Sequence, residues 1–403
     1  MILLLKNKKT IREQFYSLLG QTSPSPLGVE IQKAEGVFLL STTGKRYLDL
    51  ISGVSVSHVG HARPEVIEAI ENQARNHLHL MVYGELIQQP QVLLASLLTE
   101  CLPPALNSVY FVNSGSEANE AAMKLAKRVT GRHKMACFRN AYHGSTHGAL
   151  SVMGNETFRS AFRPLLPGVT ALRFNCFEDL QLIDRYTACV IVEPIQAEAG
   201  VRLPVPGFLQ ALRERCDRTG TLLIFDEVQT GFGRTGALFA MQKYDVVPDM
   251  VTLAKALGGG MPLGALACNK DLMEAWKSDP VLGHITTFGG HPVSCAAGFA
   301  ALQVLLKEGW IATVEEKATF VKEALVAHPA VKEIRGEGLL LAVELEDAGK
   351  VEVFIRRLLE EGAMADWFLY CDTAFRIAPP LCITKEELVL ATELVLAALD
   401  TLK

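Results

Sequence analysis

The chain has 403 residues, 49% of them hydrophobic and 21% charged, with a formal net charge of −5. That length exceeds one ordinary core and predicts a large domain with a smaller one attached; the composition is that of a folded soluble protein. The acidic balance and the lack of a long Lys/Arg run argue against a nucleic-acid partner, and no apolar stretch reaches the roughly 20 residues of a membrane span.

The opening, "MILLLKNKKTIREQF", puts its apolar run ahead of its basic cluster, the reverse of a secretory signal. The nine cysteines stand singly, with no C-x-x-C pair. Free thiols in a reducing, cytoplasmic setting are expected, with no metal site. "GVFLLSTTGKRYLDLI" reads as a hairpin, and residues 1–50 are expected to pack with the small domain. Residues 51–304 are expected to form the large domain. Within it, "SVYFV" (Ser108–Val112), "KMACF" (Lys134–Phe138), "ACVIV" (Ala188–Val192), "TLLIF" (Thr221–Phe225), "DMVTL" (Asp249–Leu253) and "LGALAC" (Leu263–Cys268) read as buried strands. Helical periodicity follows the first in "EANEAAMKLAKRV" and fills "GFLQALRERCDRTG" (Gly207–Gly220). Strands alternating with helices predict an α/β fold with a mainly parallel sheet covered on both faces. The character changes after the helix that starts at Pro292. Residues 305–403 predict a small α+β domain, with alternating runs in "IRGEGLLLAVEL" and "AFRIAPP" and a final helix in "TKEELVLATELVLAALDTL".

Ligands of open parallel sheets bind at the carboxyl ends of the strands. Five predicted strands end in polar residues there. "NSGSEANE" (Asn113–Glu120) places small residues at a helix start, where free N–H groups suit a phosphate; an ordinary N-cap gives the same pattern. G-x-x-x-x-G-K-[ST] does not occur, so no P-loop is expected. "RNAYHG" follows the second strand, and Glu193 follows the third, with Glu198 five residues on. Asp226 ends the fourth and needs a cationic or N–H partner. A protonated pyridine nitrogen is one such partner; a salt bridge is another. Lys255 follows the fifth in "TLAKALGGGMPLGAL", with no acid close by in sequence. Burial lowers a lysine pKa and frees the amine for attack on a carbonyl, and Gly258, Gly259 and Gly260 permit close approach. A lysine that reaches out to water is the plain alternative.

Taken together, "NSGSEANE", "AYHG", "EPIQAEAG", "FDEVQTGFGRTG", "LAKALGGGMPLGA", "TFGGHP" and "RIAPPL" make the chain, from about residue 25 onward, resemble the class III pyridoxal-phosphate aminotransferases. These include ornithine, acetylornithine and 4-aminobutyrate aminotransferases. The resemblance implies a fold-type I enzyme with a mainly parallel seven-stranded sheet, pyridoxal 5'-phosphate as cofactor, and ping-pong transfer of an amino group to 2-oxoglutarate. Racemases, aminomutases and decarboxylases of this fold use the same parts. By resemblance, Lys255 forms the Schiff base and shuttles the proton, and Asp226 partners the pyridine nitrogen. Val228 and Tyr142 flank the ring, His143 belongs to the same loop, and Gln229 lies near the phenolic oxygen. Gly115 and Ser116 hold the phosphate. Thr287 serves the phosphate of a neighbouring subunit, which implies a homodimer with shared active sites. Arg376 binds a substrate carboxylate, and Glu198 masks it when an ω-amine is bound. Three positions depart from the family's usual pattern. Ser145 replaces an arginine, His291 replaces an asparagine and is expected to cap the following helix, and "ADWFLYCDTAFRIAPP" is unusually aromatic. Trp367 and Phe368 in it are expected to fill the core.

Overall fold

The computed structural model describes residues 9–402; the apolar opening of the chain, up to residue 8, lies outside them. Strands β1 (Ile31–Glu35), β2 (Phe38–Ser41) and β3 (Arg46–Asp49) form an antiparallel meander. The central sheet holds β4 (Ser108–Val112), β5 (Lys134–Phe138), β6 (Val169–Leu172), β7 (Thr187–Val192), β8 (Leu222–Asp226), β9 (Met250–Leu253) and β10 (Gly264–Cys268). Near the C-terminus come β11 (Val331–Glu337), β12 (Leu340–Leu345), β13 (Ala363–Met364), β14 (Asp366–Trp367) and β15 (Ala374–Ile377). The central order is β4-β10-β9-β8-β7-β5-β6, and the smaller C-terminal sheet runs β11-β12-β15-β14. β13 instead pairs in parallel with β3, so a C-terminal strand completes the N-terminal sheet.

The central strands are buried on both faces, as expected when helices cover a parallel sheet. Alternate residues feed two separate cores: Val190 and Val192 join the larger cluster, while Cys189 and Ile191 join the other. Helices Gly115–Thr130 and Phe208–Thr219 pack on this sheet, and Pro292–Lys307 packs across Pro64–Asn76 and Gln89–Cys101. Among the described residues no single helix is long and apolar enough to cross a membrane, and all nine cysteines are unpaired.

Two features escaped the sequence. β6 carries no apolar run because it is an edge strand, largely open to solvent on its outer side. β10 runs antiparallel to both β9 and β4, because the short link from β9 leaves no room for the crossover that a parallel pair requires. One side chain ties the sheets together. Arg234 is fully buried and donates to the carbonyls of Leu339 (2.9 Å) and Pro379 (2.7 Å) and to Ser52 Oγ (3.1 Å).

Candidate active site

The carboxyl ends of β4, β5, β7, β8 and β9 open on one cavity of about 190 Å³. Gly115, Ser116, Tyr142, His143, Asp226, Val228, Gln229 and Lys255 all line it, together with Asn119 and Glu193.

Gly115 and Ser116 form the first turn of their helix, so their N–H groups have no intrahelical acceptor. Ser114 caps that helix by accepting from Glu117 N–H at 3.2 Å. The wall here is tight. A Cβ on Gly115 would lie 3.0 Å from both Val228 methyls, and one on Gly144 would lie 1.8 Å from Ser116 Oγ. Gly144 also has φ +118°, a conformation that side chains rarely adopt. Small residues therefore keep this rim open to an anion at a helix N-terminus.

Asp226 is buried, and three groups converge on its carboxylate. Asn119 Nδ2 and His143 Nδ1 each lie 2.8 Å from Oδ2, and Val228 N–H donates to Oδ1 at 3.0 Å. Asn119 is itself held, accepting from Thr252 Oγ1 at 2.7 Å and donating to the His143 carbonyl at 2.8 Å. The sequence reading missed Asn119. Its signal was an asparagine inside an alanine-rich helix, where propensity disfavours it.

Lys255 occupies a short 3-10 turn just past β9, with φ +52°. A left-handed lysine is strained and persists only where its surroundings enforce it. Its Nζ donates to Gln229 Oε1 at 3.0 Å. The expectation that acids are remote from it is corrected by the fold. Glu198, Asp226 and Glu193 are all near enough to favour the ammonium, and Arg376 opposes them. Burial still outweighs the acids and pulls the lysine below its ordinary value. Separation in sequence was not separation in space, because the acids arrive from other strand ends. Glu193 is pushed up to about 8, chiefly by burial and then by Asp226, although the N–H groups of Tyr142 (2.8 Å) and Ala197 (3.0 Å) donate to it.

Two buried nitrogens of the cavity, Gln229 Nε2 and His143 Nε2, have no hydrogen-bond partner. Buried polar groups are normally satisfied, so a ligand carrying matching groups fits here.

Arg376 and Glu198 form a buried pair beside this cavity, with Nη1 3.0 Å from Oε1 and Nη2 3.1 Å from Oε2. Phe368 lies under the guanidinium at 4.7 Å and is buried as expected. Trp367 does not fill the core; it is 43% exposed at the edge strand β14, where alternation turns it away from Phe368. Thr287 is exposed and does not line its own chain's cavity; its carbonyl contacts His79 Nε2 at 2.8 Å. His291 Nδ1 accepts from Val293 N–H at 3.3 Å and so caps the helix that follows. Ser145 is exposed, 3.3 Å from the Tyr142 hydroxyl.

Residues 20–399 match the family model of aminotransferase class-III. The acetylornithine aminotransferase of Methanopyrus kandleri is 40% identical over 364 residues, covering 89% of this chain and 91% of the relative. The [LysW]-aminoadipate semialdehyde/glutamate semialdehyde transaminase of Sulfolobus acidocaldarius is 38% identical over 366 residues, covering 90% and 92%. A solved structure of the ornithine aminotransferase from Toxoplasma gondii, with PLP at partial occupancy in its active site, superposes with a TM-score of 0.90 at 30% identity, covering 99% of this chain and 96% of that one. With its parallel sheet, its smaller C-terminal sheet and this cavity, the chain is an aminotransferase and belongs to the class-III aminotransferase family.

Proposed function

We propose that this aminotransferase uses pyridoxal phosphate to move an amino group from the terminal amine of ornithine, an N-acylated ornithine or a related donor to 2-oxoglutarate. The residues present fit the cofactor. The N–H groups of Gly115 and Ser116 suit its phosphate, Asp226 its ring nitrogen, and the unpartnered Gln229 Nε2 its phenolic oxygen. Val228 and Tyr142 offer the two faces, and His143 steadies Asp226. When bound, the cofactor supplies an aldehyde that takes up amine nitrogen and a ring that accepts an electron pair from carbon.

The chain's own residues do the rest. Asp226 holds a proton on the ring nitrogen and keeps the electron sink strong. Lys255 Nζ, its ammonium disfavoured by burial, would take the proton from the donor carbon and deliver it to the carbon on the other side of the transferred nitrogen. Glu198 covers Arg376 while the amine donor is bound. When Glu198 swings aside, the guanidinium fork receives the keto-acid carboxylate. The observation that carries this reading is the buried Arg376–Glu198 pair within electrostatic reach of Lys255.

A homodimer sharing its active sites accords with the exposure of Thr287 and with the apolar residues around it. Ile285 and Phe288 lie beside it in the chain and are exposed, as is Leu80 next to His79, whose ring meets the Thr287 carbonyl; exposed apolar residues of this kind mark interaction surfaces. The unpaired cysteines accord with a cytoplasmic setting.

A panel of terminal-amine donors with 2-oxoglutarate tests the reading. One glutamate is expected per donor consumed, and none with Lys255→Ala. Full turnover in that variant, or donor consumption without glutamate, overturns it.

A further inference from the structure

Arg376 has a second carboxylate beside it. Asp366 on β14 stands directly opposite Arg376 on β15 in the strand register, so both side chains project from one face of the sheet. Asp366 Oδ1 lies 3.2 Å from Arg376 Nε, yet neither atom has a hydrogen-bond partner. The contact is therefore one of charge. What orients the guanidinium lies elsewhere: the Trp367 carbonyl accepts from Nη2 at 3.2 Å, and the Phe368 ring stacks beneath.

The two acids differ in freedom. Glu198 sits on a loop, held by Leu369 N–H at 3.2 Å as well as by Arg376. Its carboxylate leaves the guanidinium by turning its side chain. Asp366 is fixed by the ladder and stays when Glu198 moves. With both acids ionised, the site carries one more negative than positive charge before any anion arrives.

We propose that Asp366 is a specificity-determining residue: a counter-ion fixed in position that, when ionised, weakens the capture of acceptor carboxylates by Arg376 and biases the site toward cationic amine donors. This rests on the reading of Arg376 as the carboxylate-binding group. The groups facing Asp366 are Arg376 on β15, Glu198 on the loop after β7, Asp49 on β3 and Lys255 after β9. Burial comes first among the influences on its carboxyl and pushes it up to about 6. Asp366 is then protonated in mild acid and ionised in mild base, and anion affinity falls as the pH rises through that range.

The test is calorimetric binding of glutarate, a dicarboxylate with no carbonyl to aminate, to the holoenzyme. At pH 8, Asp366→Asn binds glutarate about fivefold more tightly than the wild type, the order expected from removing one nearby charge. At pH 5.5 the two bind alike. The wild type alone also reports: its affinity falls between pH 5.5 and 8, more steeply than that of Asp366→Asn, which keeps only the titration of Glu193 in the adjoining cavity. Equal or weaker binding by Asp366→Asn at pH 8 overturns the proposal, as does a wild-type affinity that does not fall with pH. Arg376→Gln separates the two layers. If it binds glutarate as the wild type does, the carboxylate role of Arg376 fails and takes the proposal with it. If it loses binding while Asp366→Asn changes nothing, only the proposal fails.

Discussion

Asn119 donates a 2.8 Å hydrogen bond to the Asp226 carboxylate from inside a helix, and is locked in place by Thr252 on a neighbouring strand. Asp226 therefore does not depend on its own strand for its orientation. Asn119→Ala removes one donor and leaves Asp226 Oδ2 to His143 alone. A hydrogen bond to a charged group contributes roughly 1.5–3 kcal/mol, so cofactor affinity falls by about tenfold or more. Absorbance titration of apoprotein with pyridoxal phosphate measures this; unchanged affinity would show that Asn119 only braces the helix.

Gly144→Ala places a methyl where Ser116 Oγ already stands, at a backbone angle that alanine rarely adopts. The loop must retreat from the helix start. The expected result is cofactor affinity about tenfold weaker or worse, with a far-ultraviolet circular dichroism spectrum like that of the wild type. Normal affinity would show that the loop adapts without disturbing the anion site.

Lys255 carries a stability cost. Its folded pKa is below the ordinary 10.5, so the folded apoprotein binds fewer protons than the unfolded chain in that interval. The penalty is fully present below the folded pKa and is relieved as pH rises toward 10.5. Lys255→Met abolishes both the penalty and catalysis. Its apoprotein denatures at higher urea than the wild type at pH 7, and the gap narrows by pH 10. A variant less stable at pH 7 would contradict this.

Glu193 acts in the opposite sense. Its carboxyl is raised to about 8 from 4.5 by burial, so the folded state holds a proton that the unfolded chain has lost. Stability from this group is greatest below about 4.5 and declines as pH rises through 8. Tyr142 and Ala197 donate to different oxygens of Glu193, so Glu193→Gln keeps an acceptor for one of them and cannot titrate. Urea midpoints between pH 5 and 8.5 should slope downward less steeply in the variant, the remaining slope including that of Glu227, raised to about 7. Equal slopes would mean that Glu193 is ionised throughout.

What the sequence by itself determined is the scaffold and the chemistry at its rim. Six of the seven central strands were readable as short apolar runs, because a sheet covered on both faces has no polar alternation. Gly115, Asp226 and Lys255 were readable because each comes within three residues of the end of such a run, so strand direction carries them to one edge. Tertiary structure decided what those groups feel. Lys255 looked isolated, yet Glu193, Glu198 and Asp226 reach it from other strand ends hundreds of atoms away along the chain. Asn119 showed only as an odd residue in an alanine-rich helix and Asp366 not at all, since each acts through a partner, 107 residues away for Asn119 and across a strand pair for Asp366. Local pattern records which face a residue takes; electrostatics depends on distance through space, and only the packed fold sets that distance.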